Sequence, residues 1–466
     1  MGRLSHVIAG AKGAVLAFAI LFVTTCVIYA RALGGYFIAD DLTELDFIRR
    51  YEGSWLAFLD PSKMYGDPIT HSRYRPLSIY FKWTLNMLFG DHAVAYHVVS
   101  AGLHALSAVA VLLLARRLFS DRLTAVLAAV FFTFWRSQSQ TVAWITCNFR
   151  LCTFALVLWG LVALHELRRG WGIAVCLGSF VLAVGNIELV IAPAVSACFY
   201  LHYRFGKSAA PELARRFALA TAGLAAITVA FLYASVISNR VFPVAPPAST
   251  PDLDRALRFL ANLFVPFQCP LGLKLALVAL VFLGAFLPPG RVDTKLLLLL
   301  TLVSGCALMW AFLRAYALAP RYLYFASVFG SMALAHLVNR IATFLSRWPT
   351  NGTRARWVSA TVLGGALVGA NVHALETVDM VHFEYLGLLG QKLAALRSEV
   401  QRRGERARVY IESQYTPYDR HFFAPELEFV DAPEKASHVV DADTAYYQRR
   451  LGPDLIDYWF VPWFNP

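Results

Sequence analysis

The sequence predicts an all-α polytopic membrane protein with about 11 transmembrane helices, a large first extracytoplasmic loop and a small α/β C-terminal extracytoplasmic domain. Three observations carry this expectation. The 466 residues are 58% hydrophobic and only 15% charged, with a mean hydropathy of +0.54, more apolar surface than a water-soluble chain hides. The apolar residues come in long, nearly charge-free blocks such as 13–30, 102–115, 153–164, 189–201 and 217–236, and a span needs about 20 of them to cross roughly 30 Å of hydrocarbon. The net charge of +12 is spread over short loops between those blocks. That distribution sets membrane orientation and argues against a nucleic-acid partner.

Taken in order with the N-terminus in the cytoplasm, the first span covers about 13–32 and exits. It follows Arg3 and Lys12 without a small-residue cleavage site, so it reads as a retained helix and not as a signal peptide. A long polar stretch, 36–92, lies outside before the second span returns near 95–116 to Arg116, Arg117 and Arg122. Spans near 123–136 and 148–166 go out and come back to Arg168 and Arg169. Those near 171–186 and 189–204 repeat the excursion, ending at Arg204, Lys207, Arg215 and Arg216. A span near 217–237 leads out to the Pro-rich stretch 243–251, and one near 271–288 returns to Arg291 and Lys295. Spans near 295–313, 322–343 and 357–375 complete the set, with Arg347, Arg354 and Arg356 before the last. Every inside loop is then basic, as the positive-inside rule requires.

The division is into a membrane module, 1–376, and a C-terminal domain, 377–466, which falls outside. Within the latter, RVYIE (408–412), ELEFV (426–430) and SHVVD (437–441) read as short strands. The seven cysteines form no metal framework. Cys26, Cys176, Cys198 and Cys306 fall in apolar spans as small hydrophobes, while Cys147 and Cys152 read as free thiols, with a pair between them the alternative.

The chemistry-bearing residues gather in the outside loops. GGYFIADDLTELDF delivers Asp40 and Asp41 straight from the first span, with Glu44 and Asp46 extending the acidic cluster. Carboxylates beside hydrocarbon are costly, so such a pair is a functional candidate, a solvated helix end being the plain alternative. The same loop carries HSRYRPLS, with His71, Arg73, Tyr74 and Arg75. One loop thus offers carboxylates for acid/base work and guanidinium groups suited to phosphate. Glu188, in VGNIELVIAP, stands at another outside boundary, either to orient a polar substrate or simply to reach water. In ALAPRYLYFAS, Arg321 beside Tyr322 and Tyr324 suits a lipid phosphate, although Arg and Tyr are also ordinary interfacial anchors. His97 and His104 lie seven apart on one helix face, a spacing that favours packing over metal binding. Trp144, Asn148 and Arg150 in QTVAWITCNFRL border the same side.

In this order the pieces resemble the GT-C glycosyltransferase superfamily, and most closely its protein O-mannosyltransferase-like branch. The resemblance lies in Asp40-Asp41 after the first helix, HSRYRPL, YHVVSAGLHAL, QTVAWITCNFR, Glu188 and RYLYF, over about residues 13–376. Three features depart from it. Tetratricopeptide repeats are absent, FWRSQSQTVAW lacks the His-Pro that often precedes Val-Ala-Trp, and Glu188 follows Asn-Ile instead of standing beside a lysine.

The resemblance implies an inverting, mannosyltransferase-like enzyme that takes a sugar from a polyprenyl-phosphate or dolichyl-phosphate carrier on the extracytoplasmic face. It passes that sugar to a hydroxyl of a protein, lipid or glycan acceptor. It implies Asp40 as general base with Asp41 as its neighbour, Glu188 assisting, and His71, Arg73, Tyr74, Arg75, His97, Arg150, Arg321, Tyr322 and Tyr324 toward substrate. No cofactor is required; a divalent metal at His97 and His104 with Asp40 or Asp41 is the alternative, which the sequence does not support. The partners are the lipid-linked donor, the acceptor and membrane lipids. The Ala/Arg-rich composition points to a bacterial inner membrane, with the site facing the periplasm. The competing readings are a transporter or flippase of lipid-linked glycans, which would place ionisable groups mid-membrane, and a non-catalytic assembly protein.

Overall fold

Apolar segments shielded from water must satisfy their own peptide groups, and a helix does so within one segment. The computed structural model describes residues 2–37, 75–119, 121–167, 169–186, 211–241, 271–286, 323–346, 352–381, 407–411 and 427–431, with Asp41, Leu45, Ile48 and a few other single positions. It is helical through nearly all of them. α1 (Gly2–Ile28) leads through a single turn, Ala30–Leu33, to Gly34 and Gly35. There follow α2 (Pro76–Phe89), α3 (Ala93–Phe119), α4 (Arg122–Thr133), α5 (Asn148–Glu166), α6 (Arg169–Asn186), α7 (Pro211–Val241), α8 (Leu271–Phe286), α9 (Ala326–Leu345) and α10 (Gly352–Ala374). Among the described residues, Ala93–Phe119, Ile145–Glu166, Ala326–Leu345 and Arg354–Thr377 are long and apolar enough to cross a membrane. Shorter apolar helices occupy Lys12–Ile28, Arg122–Thr133, Gly170–Gly185 and Ala218–Phe231. The spans expected at 189–204 and 295–313 lie outside the described residues.

α3 packs against α1, α4 and α5; α9 rests on α4 and α10; α6 joins α5 to α7. The apolar window of α5 is 78% buried and that of α10 only 22%, so α5 is central and α10 peripheral. Large apolar side chains remain exposed along the outer faces, among them Val15, Ile20 and Val23 of α1, Trp171 and Val181 of α6, and Val358 and Val362 of α10. A surface of that kind suits lipid and not water. Among the described residues, Cys26, Cys147, Cys152 and Cys176 form no disulfide.

The stretch 36–92, expected as a polar loop, contains α2. Pro76 starts it, with φ already set for a helix and no amide to leave unpaired. Gly90 ends it at φ +52°, a backbone conformation that glycine adopts freely. The 14-residue run PLSIYFKWTLNMLF is too short to span and is interrupted by Lys82, which conceals it from a reading by span length. α2 docks on α6 through Leu77, which fills the space at Gly185. A Cβ there would stand 2.8 Å from Leu77 Cδ1.

Polar contacts tie one end of the bundle together. Arg117, closing α3, forms a two-pronged pair with Glu166, closing α5, at 2.6 and 2.7 Å. Arg216 of α7 donates to the Leu164 and Leu167 carbonyls. Asp121 caps α4 through the Thr124 amide at 3.1 Å and also meets Arg356 of α10 at 2.9 Å and Asn339 of α9 at 2.8 Å. These are the termini that the alternation of basic loops assigns to one side. In the C-terminal region, Ala407–Ile411 (β1) and Leu427–Asp431 (β2) pair in parallel, Val409 opposite Phe429. Parallel pairing needs a crossover of about a dozen residues or more, which 412–426 provides. The strand expected at 437–441 lies outside the described residues.

Candidate functional site

The far ends of α3 and α5 collect the residues that the sequence singled out. Past α1, Asp41, Leu45 and Ile48 are each helical and buried, at the spacing of one helix face. Phe37 and Leu45 join Leu85, Ala93, Tyr96 and Ile145 in a small separate core that seats this segment over α2 and α3. Asp41 therefore faces inward. Its Oδ1 accepts from the Thr146 amide at 2.6 Å and from the Thr146 hydroxyl at 2.5 Å. Thr146 lies in the 3₁₀ turn Ile145–Cys147 that opens α5. This Asp41 oxygen is already engaged, and the contact fixes the first loop to the second. Asp40, His71, Arg73, Tyr74, Glu188, Arg321 and Tyr322 lie outside the described residues.

Three cations converge on one ring. Lys82 Nζ stands 4.6 Å from the centre of Phe149, Arg150 Cζ 5.5 Å and Arg75 Cζ 5.9 Å. Arg75 and Arg150 are each only 8% exposed. The ring face attracts each cation, while gathering three like charges concentrates a positive potential that draws anions. Lys82 went unnoticed in the sequence. Its signal was its spacing, seven residues and thus about two helical turns beyond Arg75.

Asn148 locks α3 to α5, its Nδ2 donating to the Tyr96 carbonyl at 3.2 Å and its Oδ1 accepting from Ser100. Next to Tyr96, His97 is 4% exposed, and neither ring nitrogen has a hydrogen-bond partner among the described residues. Leaving a buried polar group unpaired costs about 1–3 kcal/mol, so this is an expensive place for an idle imidazole.

Tyr324 stands apart from the interfacial position expected for it. It is fully buried, stacked on Phe154 with ring centres 4.9 Å apart, and its hydroxyl meets His104 Nδ1 at 2.7 Å. His104 Nε2 faces the Thr133 carbonyl at 3.2 Å. A carbonyl only accepts, so Nε2 carries the proton and Nδ1 accepts from Tyr324. Both side chains are packing elements of the bundle interior. Among the described residues no group of three or more His, Cys, Asp or Glu stands close enough to hold a metal.

A buried ion pair was not foreseen. Arg136, in the turn after α4, donates to Asp379 at 2.8 and 3.1 Å, with the two side chains 8% and 0% exposed. Asp379 ends a π-helical turn, Leu375–Asp379, continuing from α10. Burial pushes its carboxyl above the ordinary value, and the Arg136 guanidinium pulls it back.

No family model matches this chain, and no curated protein does. Among solved structures it is similar to ArnT from Cupriavidus metallidurans bound to undecaprenyl phosphate, with 13% identity and a TM-score of 0.49 over 95% of this chain and 90% of that one. It is also similar to an Archaeoglobus fulgidus oligosaccharyltransferase tethered with an acceptor peptide containing the NVT sequon. There the identity is 12% and the TM-score 0.46, over 93% of this chain and 68% of that one.

Proposed function

We propose that the protein is an inverting glycosyltransferase of the GT-C kind, moving a sugar from a polyprenyl-phosphate carrier to an acceptor hydroxyl on the extracytoplasmic face. The observation that carries this reading is the convergence of Arg75, Lys82 and Arg150 on Phe149 at one end of an apolar helical bundle. Phe149 lies three positions after Thr146, which holds Asp41. Cations at the end of such a bundle suit a phosphate attached to a lipid, which arrives from the bilayer and not from solution. The opposite ends of α3 and α5 carry Arg117 and Glu166, some 30 Å away by helix rise.

In this reading Asp40 takes the proton of the acceptor hydroxyl as its oxygen forms the bond to the sugar's anomeric carbon. The bond from that carbon to the carrier phosphate breaks on the opposite face. Arg75, Lys82 and Arg150 offset the charge left on the phosphate. Asp41, held by Thr146, positions its neighbour; Glu188, His71, Arg73, Tyr74, Arg321 and Tyr322 complete the expected site. Residues 1–376 form the catalytic module and 377–466 an α/β domain on the same side. A bacterial inner membrane with a periplasmic site fits the composition.

The test is transfer from undecaprenyl-phosphate-linked sugars by the full chain in nanodiscs. Asp40→Asn is expected to cost about 10²–10⁴-fold in rate with an unchanged melting curve. Full transfer by both Asp40→Asn and Asp41→Asn would overturn the assignment, and movement of the carrier across the bilayer without transfer would mark a flippase.

A further inference from the structure

The chain does not leave the bundle where α10 ends. It continues through the π-helical turn Leu375–Asp379, and Met380, Val381, Phe383 and Gly387 are helical and buried beyond it. Leu375, Met380 and Phe383 share the main apolar core with Tyr29 and Ala32, which follow α1. The start of this continuation is held by the buried Arg136–Asp379 pair, and Arg31 donates to the Glu376 carbonyl at 3.4 Å. The Arg31 contact is exposed and contributes little. Packing sets the path.

At Gly387 this helix meets the chain leaving α1. A Cβ at Gly387 would stand 3.0 Å from the Tyr36 amide nitrogen and 3.1 Å from Gly35 Cα. Gly35 is as confined, because its own Cβ would stand 2.9 Å from the Ala32 carbonyl oxygen that its amide already meets. Two glycines thus lie backbone to backbone, an approach that only the lack of side chains permits. α3 closes on the same point, with His97 Nε2 4.0 Å from the Gly35 Cβ position, which leaves little slack. The end of a flexible side chain can swing aside, but a backbone yields only by moving the chain it belongs to. Here that chain runs on through the buried Phe37 to Asp41, six positions beyond Gly35 and held by Thr146.

We propose that Gly387 is a positioning residue for the transfer reaction. It lets the helix continuing from α10 seat directly on Gly35 and Tyr36, and so sets where the chain delivers Asp40 and Asp41. This rests on the glycosyltransferase reading and deepens it, since it gives the region beyond residue 376 a part in placing the base.

The experiment measures transfer from undecaprenyl-phosphate-linked sugar by the full chain in nanodiscs. A methyl group at position 387 must push the Gly35–Tyr36 backbone by a few tenths of an ångström. A misplacement of about 1 Å costs about 100-fold, so Gly387→Ala should lower kcat about 5- to 10-fold. Donor KM and the affinity for undecaprenyl phosphate should stay within about twofold. On the Asp40→Asn background the residual rate should fall no further, because the base whose placement is at stake is gone. Val338→Ala, in the buried part of α9, supplies a variant of lowered melting temperature and unchanged kcat. Should Gly387→Ala fail to fold, Phe383→Leu loosens the same helix face one turn earlier and should give the same loss of kcat at constant donor KM. A folded variant with wild-type kcat, or an equal fall on the Asp40→Asn background, would overturn the positioning role and leave Gly387 a packing residue; the glycosyltransferase reading would survive. A wild-type protein that transfers no sugar would remove that reading and this role together.

Discussion

Arg136 and Asp379 join in a two-pronged ion pair sealed from solvent, 243 residues apart in the chain. The pair fastens the end of α10 to the turn leaving α4 (Arg122–Thr133). Breaking it is expected to be severe. Asp379→Ala leaves a buried guanidinium unpaired and should cost about 3–5 kcal/mol, whereas Arg136→Met with Asp379→Leu should recover most of that stability. Thermal unfolding of the detergent-solubilised protein measures both. A double variant no more stable than Asp379→Ala would show that the pair is more than a stability element.

The Asp41–Thr146 contact predicts a graded series. Thr146→Val removes the hydroxyl donor and keeps the amide, so transfer should fall only a few-fold. Asp41→Ala removes the acceptor for both donors and should lose about 1.5–3 kcal/mol of loop anchoring. In steady-state assays this should appear as a lower kcat with the donor KM little changed. An unchanged kcat for Asp41→Ala would detach Asp41 from the positioning of Asp40.

The cation cluster predicts salt-sensitive carrier binding. Lys82→Ala or Arg150→Ala should each weaken undecaprenyl phosphate by about 10- to 100-fold, the worth of one charge-assisted contact. Lys82→Arg should retain most of the affinity. Arg321→Ala is expected to weaken the donor more than the acceptor; an unaltered donor affinity would make Arg321 an interfacial anchor.

Tyr324→Phe separates packing from substrate contact. Loss of the hydroxyl strands His104 Nδ1 and should cost about 1–3 kcal/mol in stability, with donor affinity unaltered. A change in donor affinity at constant stability would return Tyr324 to the substrate.

Asp121 predicts a pH signature at the other end of the bundle. Burial works to raise its carboxyl, but the Thr124 hydroxyl and amide and the Arg356 guanidinium outweigh it and hold the group below its ordinary value. A carboxyl depressed in the folded state stabilises above its unfolded value, near pH 4, and loses that contribution as pH falls through the folded value. The melting-temperature gap between wild type and Asp121→Asn should thus be constant at neutral pH and close only below about pH 4. A gap that closes nearer neutrality would contradict this origin.

Hydropathy blocks and basic loops were enough to place α3 (Ala93–Phe119), α5 (Asn148–Glu166), α9 (Ala326–Leu345) and their partners. The cost of exposing peptide groups to lipid acts on each segment locally, so it is written in the local sequence. The same local logic pointed to Arg75, His97 and Arg150 as polar residues at apolar boundaries. It did not reach Lys82, whose meaning depends on Phe149 lying opposite it, or Arg136, whose partner arrives from the far end of the chain. It also misjudged Tyr324, because an Arg-Tyr motif reads as an interface until His104 and Phe154 enclose it. By itself, then, the sequence determined that this is a helical membrane protein with polar residues at the boundaries of its apolar blocks. Only the tertiary structure decided which of them meet, because pairing across α3 and α5 depends on how helices pack and not on any property of a single segment.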